Sequence, residues 1–182
     1  MINIYKLKLT VLQQEILRLL FVKAGTQLNG RNIARILEVS QPAVSKALPK
    51  LRDMEFINVK KDKESKRLSI ELNMENHHAV WLKRADNLKQ IYDSGLMQFL
   101  YDSLPGTTII LFGSYAFGED TITSDIDLAV IGLKPKQLNL TEFHKILNKE
   151  IIINYYDSFK NIDKHLLNNI LNGITLKGAV DL

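Results

Sequence analysis

The chain of 182 residues contains no cysteine. It can therefore form no disulfide bond, no thiolate zinc site and no cysteine nucleophile. Long hydrophobic runs are also missing, because no apolar stretch approaches the roughly 18 residues that a membrane span requires. Lys6 and Lys8 interrupt the N-terminal residues before any signal-peptide pattern develops. These absences predict a soluble protein of the cytoplasm with no membrane partner.

Charge is present in both signs, and it is unevenly distributed. Residues 1–74 carry 14 Lys and Arg against 7 Asp and Glu, a net charge of +7. Residues 75–182 carry 10 Lys and Arg against 13 Asp and Glu, a net charge of −3, which accounts for the overall +4. At roughly 100–200 residues per domain, the length allows one or two domains. The asymmetry favours two modules with different partners.

The front of the chain has a helical periodicity. Apolar residues at three- and four-residue spacings predict one helix over residues 10–25 and a second over residues 29–37. A third helix is expected to begin at Ser40, whose hydroxyl can cap free backbone N–H groups. Pro49 is expected to kink or shorten this third helix near Lys46, because proline removes a backbone hydrogen bond.

The periodicity then changes from that of a helix to that of a strand. Apolar residues over 56–59 and alternating apolar residues over 68–72 flank the polar stretch 60–66 and predict a β-hairpin. Three helices, two of them joined by a tight turn, followed by a hairpin describe a winged helix-turn-helix domain. We expect this domain to occupy residues 1–74.

The segment LEVSQPAVSKALPKLRDMEFI, residues 37–57, resembles winged-helix transcription regulators of the multiple-antibiotic-resistance (MarR) kind. In that family the third helix enters the major groove of DNA and the hairpin contacts the backbone or the minor groove. The resemblance implies that double-stranded DNA is a partner. The DNA-contacting residues it implies are Ser40, Gln41, Ser45 and Lys46 on the third helix, and Lys60, Lys61, Lys63, Lys66 and Arg67 on the wing. A protein-binding winged helix with merely solvated lysines is the alternative.

Residues 75–104 predict a helix that is broken at Gly95. Residues 75–95 would then be a connecting helix between two domains. In MarR-like regulators a helix after the wing often builds the dimer interface. The resemblance therefore implies a homodimer, which would present two winged helices to a palindromic site.

Two apolar runs in the back half flank a loop that contains glycine, serine and aspartate. Residues 108–112 and 126–131 predict buried strands. Gly113 follows the first strand and lets a bound group approach the backbone, and Ser114 is expected at the start of a short helix whose free N–H groups attract phosphate. Asp125 and Asp127 are separated by one residue, so both carboxylates point to one side of a strand. A divalent cation would neutralise their repulsion, and Mg²⁺ prefers one or two carboxylates together with phosphate oxygens.

These residues also resemble a known family. Gly113-Ser114, Gly118 and Ser124-Asp125-Ile126-Asp127 match the signature of DNA polymerase β-like nucleotidyltransferases, in particular their minimal (MNT) branch, over about residues 96–182. The resemblance implies an α+β protein: a winged helix followed by a small mixed sheet with helices on one face.

The same resemblance implies a chemistry. The expected reaction transfers a nucleotidyl group from a nucleoside triphosphate such as ATP to a hydroxyl acceptor, with Mg²⁺ or Mn²⁺. Asp125 and Asp127 would bind the metal, and Gly113, Ser114 and Ser124 would bind the nucleotide. MNT proteins commonly pair with HEPN-domain proteins in toxin–antitoxin systems, so a co-encoded HEPN-type protein is an expected partner.

One position departs from the family pattern. The third carboxylate of these enzymes is expected on a strand over residues 150–156, where Asn154 takes the catalytic position and should converge with Asp125 and Asp127. An amide oxygen can bind a metal, but it carries no charge and takes up no proton. Glu150 lies about 13 Å from Asn154 at roughly 3.3 Å per residue, too far to substitute for it. Phe117 also replaces an arginine that many relatives carry.

Three functions remain open at this stage. The chain is an active nucleotidyltransferase that modifies a partner protein, a DNA-binding regulator that senses a nucleotide with little or no catalysis, or a regulator with a purely structural partner-binding domain. The intact Asp125 and Asp127 favour the first two functions, and Asn154 favours the second over the first. Glu119 and Asp120 are expected to lie in a solvated loop, with added negative charge near the metal as the alternative.

Overall fold

The computed structural model describes residues 8–61 and 68–181. They form two compact units, the first ending at Ala79 and the second beginning at Val80. Among the predicted DNA-contacting residues, Lys63, Lys66 and Arg67 lie outside the described ranges. Within those ranges, no helix combines the length and the apolar character needed to cross a membrane.

Three capped helices form the front of the first unit. They are α1 (Val11–Val22), α2 (Gly30–Ile36) and α3 (Gln41–Asp53). Each helix follows a residue whose side-chain oxygen accepts a backbone N–H of the first turn, namely Thr10, Asn29 and Ser40. Because such caps satisfy N–H groups that have no partner inside the helix, they fix where each helix begins. The predicted start at Ser40 is confirmed.

Pro49 lies inside α3, but the helix continues through it to Asp53. The expected shortening near Lys46 is therefore wrong. Leu48 and Leu51 are buried on either side of the proline, and the side chain of Gln13 in α1 donates a buried hydrogen bond of 3.2 Å to the carbonyl of Ala47. This packing holds the helix together despite the roughly 3 kcal/mol that a proline costs in a helix interior.

A hairpin completes the first unit. Strands β1 (Ile57–Lys61) and β2 (Leu68–Leu72) pair antiparallel, with Ile57 opposite Leu72. Ile70 is fully buried and forms an isolated bridge with Leu28, which anchors the hairpin to the segment before α2. The order of three helices and a hairpin is that of a winged helix, as predicted.

The second unit is a mixed sheet with helices. Its elements are α4 (His77–Asp93), of which the residues from Val80 onward belong to this unit, α5 (Leu96–Ser103), β3 (Thr108–Phe112), α6 (Gly113–Phe117), β4 (Ile126–Ile131), α7 (Thr141–Leu147), β5 (Ile151–Tyr156), a 3-10 turn (Phe159–Asn161), α8 (Lys164–Leu171) and β6 (Ile174–Lys177). The strand order is β5-β4-β3-β6, with β4 and β5 parallel and the other pairs antiparallel. The mixed sheet and the helix break at Gly95 are both confirmed.

Both faces of the sheet are covered, so the expectation of helices on one face is wrong. One core packs Leu111 and Leu128 together with buried residues of α4 to α7, including Leu147. The other core packs Ile110 against Ile170 of α8 and against the 3-10 turn. Because alternate residues of the two central strands are buried on opposite sides, β3 and β4 are mostly apolar rather than alternating.

Gly118 brings the backbones of two helices into contact. It ends α6 in the left-handed conformation, with φ 76°. A Cβ added at Gly118 would stand 2.6 Å from the carbonyl oxygen of Val80 and 2.8 Å from the backbone nitrogen of Arg84. The backbone of α4 therefore packs directly against the end of α6, which requires a glycine there.

Substitution of Gly118 by alanine measures this close approach. Gly106→Ala is the matched control, because Gly106 has φ 72° and no atom within 4 Å of an added Cβ. We expect each variant to lose roughly 1–2 kcal/mol of unfolding free energy from the left-handed backbone. Gly118→Ala should lose about 1–3 kcal/mol more, because the methyl group displaces α4. Equal losses in urea unfolding would contradict the contact.

Candidate functional site

The predicted DNA-contacting residues at the start of α3 are accessible to solvent. Ser40, Gln41, Ser45 and Lys46 are all exposed, whereas Val44 between them is fully buried. Gln41 and Ser45 line the same cleft, which has a volume of about 430 Å³. The helix therefore presents hydroxyl, amide and ammonium groups outward while its apolar face holds the core.

The cleft contains residues that the sequence did not single out. Besides Gln41 and Ser45, it is lined by Asn29, Gly30, Arg31 and Leu68. Arg31 is exposed and lies in the first turn of α2. Nothing in the sequence distinguishes Arg31 from other arginines. The packing of α2 beside α3 brings it to the same cleft as Gln41 and Ser45.

The wing retains two of its predicted basic residues within the described ranges. Lys60 and Lys61 are exposed at the end of β1. The Nζ of Lys60 lies 3.4 Å from Oε1 of Glu71 on β2. An exposed ion pair of this kind contributes about 0–1 kcal/mol, so it leaves Lys60 free to exchange its partner.

In the second unit, the predicted phosphate loop, Gly113 and Ser114, lies directly against Asp127, a predicted metal ligand. Phe112 pairs with Asp127 across β3 and β4, and Gly113 follows with φ 73°. A Cβ added at Gly113 would stand 2.6 Å from Oδ2 of Asp127. Ser114 is the next residue and is half-buried in α6. The absence of a side chain at Gly113 is thus what admits the Asp127 carboxylate.

The two aspartates act on each other. Asp125 is exposed just before β4, and Asp127 is half-buried within it. The pKa of the Asp127 carboxyl is raised, chiefly by its burial and further by the negative charge of Asp125. Both effects penalise the ionised form, and a bound cation would oppose them.

Asn154 is not the direct neighbour of Asp127 in the sheet. In the parallel register of β4 and β5, Asp127 pairs with Ile152 and Ala129 pairs with Asn154. Asn154 therefore lies about 7 Å beyond the level of Asp127, at roughly 3.3 Å per residue. An apolar residue, Ile152, occupies the position directly beside Asp127, and the convergence of Asn154 with Asp125 and Asp127 stays a prediction.

Among the residues that the structure describes, no third carboxylate joins Asp125 and Asp127 in a metal-binding group. Glu150 is exposed, and its carbonyl accepts a 2.8 Å hydrogen bond from the backbone N–H of Ile126. Across residues 8–61 and 68–181, no group of three or more His, Cys, Asp or Glu side chains could hold a metal ion. Asp125 and Asp127 fit one Mg²⁺ or Mn²⁺ that takes its other oxygens from phosphate and water. They do not fit a second metal held by a third carboxylate.

The loop before Asp125 is less exposed than its sequence indicates. Asp120 is only 1% exposed and contacts Lys83 and Lys149, so its expected place in a solvated loop is wrong. Glu119 is exposed, as expected. The hydroxyl of Ser124 accepts a 3.0 Å hydrogen bond from the N–H of Thr121, which closes the loop on itself.

Neutralising Asp127 should stabilise the metal-free protein at pH 7. We expect Asp127→Asn to raise the thermal unfolding midpoint, because the folded state no longer holds an unfavourable half-buried charge. The raised pKa sets the pH dependence: as the pH falls through it, the wild-type carboxyl takes up a proton and the difference between the two proteins shrinks.

The exposed Asp157 provides the matched control. Asp157→Asn should leave the midpoint unchanged at every pH. A midpoint for Asp127→Asn at or below that of the wild type at pH 7 would contradict the assigned environment.

Comparisons with known proteins identify each unit separately. Residues 9–69 match the MarR family, and residues 94–173 match the nucleotidyltransferase domain. Among solved structures, the chain is similar to ZitR of Lactococcus lactis, a zinc-responsive MarR family member, with 24% identity over 56% of this chain and 67% of that chain and a TM-score of 0.41. It is also similar to S. aureus MepR in a complex with DNA, with 23% identity over 52% of this chain and 73% of that chain and a TM-score of 0.40. No curated protein matches the chain.

The two matched ranges fall into different structural units. The MarR match lies within the unit that ends at Ala79, and the nucleotidyltransferase match lies within the unit that begins at Val80. The chain therefore carries a winged-helix domain of the MarR family fused to a nucleotidyltransferase domain.

Proposed function

We propose that this protein is a DNA-binding transcription regulator whose nucleotidyltransferase domain binds a nucleoside triphosphate with a divalent cation but transfers little or no nucleotidyl group. One observation carries the proposal. The register of β4 and β5 places Ile152, and no carboxylate, beside Asp127. The domain keeps the groups that hold a metal–nucleotide complex and lacks the group that drives transfer.

The front half supports DNA binding through charge and exposure. Residues 1–74 carry a net charge of +7, and each phosphate that a basic side chain neutralises adds a salt-dependent increment to affinity. Gln41 and Ser45 have the amide and hydroxyl groups that hydrogen-bond base edges in the major groove. Arg31 and Lys46 would contact phosphates beside those bases. The protein would act in the cytoplasm as a homodimer on two half-sites about one helical turn apart.

The back half supports nucleotide binding through Gly113 and the aspartate pair. Asp125 and Asp127 would hold Mg²⁺ or Mn²⁺, which when bound supplies positive charge to the triphosphate oxygens. Gly113 lets the Asp127 carboxylate lie against the backbone, so a cation held by Asp127 would lie next to a phosphate group bound at Gly113 and Ser114. The hydroxyl and backbone N–H of Ser114 would donate to those oxygens, and Ser124 would shape the edge of the site.

Transfer requires a further group. In an attack on a phosphoryl group, the acceptor hydroxyl must lose its proton, and negative charge nearby assists that loss. Ile152 offers neither an acceptor for the proton nor a charge. Asn154, two residues further along β5, is an amide, which carries no charge and takes up no proton. The site thus binds and orients a nucleotide without a base for the acceptor.

A second candidate is an active nucleotidyltransferase that modifies a hydroxyl of a co-encoded HEPN-type partner, as antitoxins of this kind do. The retained contact between Gly113 and Asp127, with Asp125 exposed beside them, favours it. In that case the acceptor protein would have to meet the site at the exposed Asp125 end of β4.

DNA binding is expected to depend on Arg31. Arg31→Ala should weaken binding to DNA from the protein's own promoter and lower the slope of log affinity against log salt by about 0.9, the loss of one phosphate contact. Arg52→Ala is the matched control, because Arg52 is equally an exposed arginine but lies 3.6 Å from Asp53 at the far end of α3. Fluorescence anisotropy at several salt concentrations measures both. A wild-type affinity that does not fall with salt would contradict phosphate contacts.

The nucleotide proposal is tested with labelled ATP. Wild-type protein should bind Mg²⁺–ATP saturably, Asp127→Ala should lose that binding, and neither should transfer label to itself or to a co-encoded partner. Label transfer by the wild type that disappears in Asp127→Ala would establish the second candidate instead.

Restoring a carboxylate tests the register within the same assay. Ile152→Asp should raise the affinity for Mn²⁺ at saturating ATP by roughly tenfold, since affinity follows the number of charged ligands. Asn154→Asp is the matched control, because its carboxylate would lie beside Ala129. A gain in Asn154→Asp and none in Ile152→Asp would refute the placement of these two residues.

A further inference from the structure

A buried charged cluster lies beside the candidate metal site. The carboxylate of Asp120 is 2% exposed, the side chain of Lys83 is fully buried and that of Lys149 is 6% exposed. Oδ1 of Asp120 accepts hydrogen bonds from Lys83 and, at 2.6 Å, from Asn87, and Oδ2 lies 3.2 Å from Nζ of Lys149. Two ammonium groups thus share one carboxylate away from water.

Lys149 uses its three N–H donors on the loop that leads to Asp125. Besides Asp120, its Nζ donates to the carbonyl of Thr121 at 2.6 Å and to that of Ser124 at 3.0 Å. The Ser124 carbonyl belongs to the peptide bond that joins Ser124 to Asp125. Lys149 therefore holds the main chain immediately before a candidate metal ligand.

The next residue along the chain holds the other side of Asp125. The carbonyl of Glu150 accepts the N–H of Ile126 at 2.8 Å. The peptide groups on both sides of Asp125 are thus bound by two consecutive residues, the first through its side chain and the second through its backbone. Asp125 itself stays exposed, so its carboxylate is oriented by its main chain and remains open to a ligand.

The cluster also reaches the phosphate loop through α4. Asn87 donates to the carbonyl of Tyr115 at 2.9 Å, and the Tyr115 hydroxyl donates to the carbonyl of Asn87 at 3.3 Å. Tyr115 directly follows Ser114 in α6. Lys83 and Asn87 of α4 therefore connect the segment that would hold phosphate to the segment that would hold the metal.

Stability alone does not account for these charges. Burial lowers the pKa of Lys83 despite the opposing effect of Asp120, so keeping its charge there is unfavourable. Apolar residues of similar size often hold two segments together as well as a buried ion pair does, and the best-attested benefit of buried charges is that they fix one arrangement. The arrangement that this cluster fixes is the position of Asp125 relative to Gly113 and Ser114.

We propose that Lys149 and the Lys83–Asp120 pair are positioning residues that set the geometry of Asp125 for the metal–nucleotide complex. The proposal rests on the proposed function, because it assigns the cluster a task at that site. None of the three residues touches the ligand. They act through the main chain on either side of the candidate metal ligand.

The test measures Mn²⁺ affinity at saturating ATP by electron paramagnetic resonance, on the full chain and well below the unfolding temperature. Lys149→Met should weaken Mn²⁺ binding by about tenfold or more, as loss of residues that orient metal ligands does. Lys149→Arg, which keeps a charged donor, should recover part of that loss. Lys145→Met, an exposed lysine of α7, is the matched control and should bind as the wild type does.

A paired substitution keeps the test valid if Lys149→Met does not fold. Lys83→Met combined with Asp120→Asn removes both charges at nearly constant volume and leaves no unpaired buried carboxylate, while the Lys149 ammonium keeps its hydrogen bonds to the carbonyls of Thr121 and Ser124. It should fold and still bind Mn²⁺–ATP more weakly than the wild type. A lowered unfolding midpoint with unchanged Mn²⁺ affinity, in either variant, would show a purely structural cluster and overturn the proposal.

The outcome for the proposed function is read separately. If the wild type binds Mn²⁺–ATP and Asp127→Ala does not, wild-type affinity in Lys149→Met refutes the positioning role alone. If the wild type and Asp127→Ala show the same absence of binding, the proposed function fails, and the positioning role fails with it.

Discussion

The parallel pairing of β4 with β5 constrains everything that the nucleotidyltransferase domain can do. Hydrogen bonds from Ile126 to Glu150 and from Gly132 to Tyr156 fix the pairing at both ends. Between them, the register is held by apolar packing on the face that carries Leu128 and Ile153. A slip by one residue would bring that apolar face to the site side, which the core forbids. The neighbour of Asp127 is therefore decided by the hydrophobic core on the opposite side of the sheet.

Local signals predicted most of the fold. The start of the third helix at Ser40, the hairpin and the span of β4 all depend on neighbouring residues, so the sequence pattern was sufficient to predict them. The neighbour of Asp127 on β5 could not be predicted from the pattern. Asn154 shares its period-two face with Ile152, but the offset between two strands depends on how the loops before each strand close. Nothing in either strand states that offset.

Contacts between residues far apart in the sequence account for the expectations that were wrong. Asp120 reads as part of a polar loop, and its partner Lys83 lies 37 positions earlier. Lysine and aspartate side chains are mostly exposed in proteins, and they are buried here because they pair with each other. Pro49 is a similar case, because its cost in the helix is local whereas the support from Gln13 and the core comes from elsewhere in the chain. Gly118 was part of the sequence signature, but the signature did not predict that the backbone of α4 would pack against it.

The close approach of α4 to Gly118 also bears on how such a fusion protein arose. Similarity to other nucleotidyltransferases begins at residue 94, after α4 has ended. A recombination breakpoint at that place would remove Lys83 and Asn87 and leave Lys149 as the one remaining partner of the Asp120 carboxylate among the three described here. The heritable module is therefore longer than the stretch that similarity delimits. An exchange of the DNA-binding half that preserves the other half must cut before Val80, so that the helix travels with the sheet.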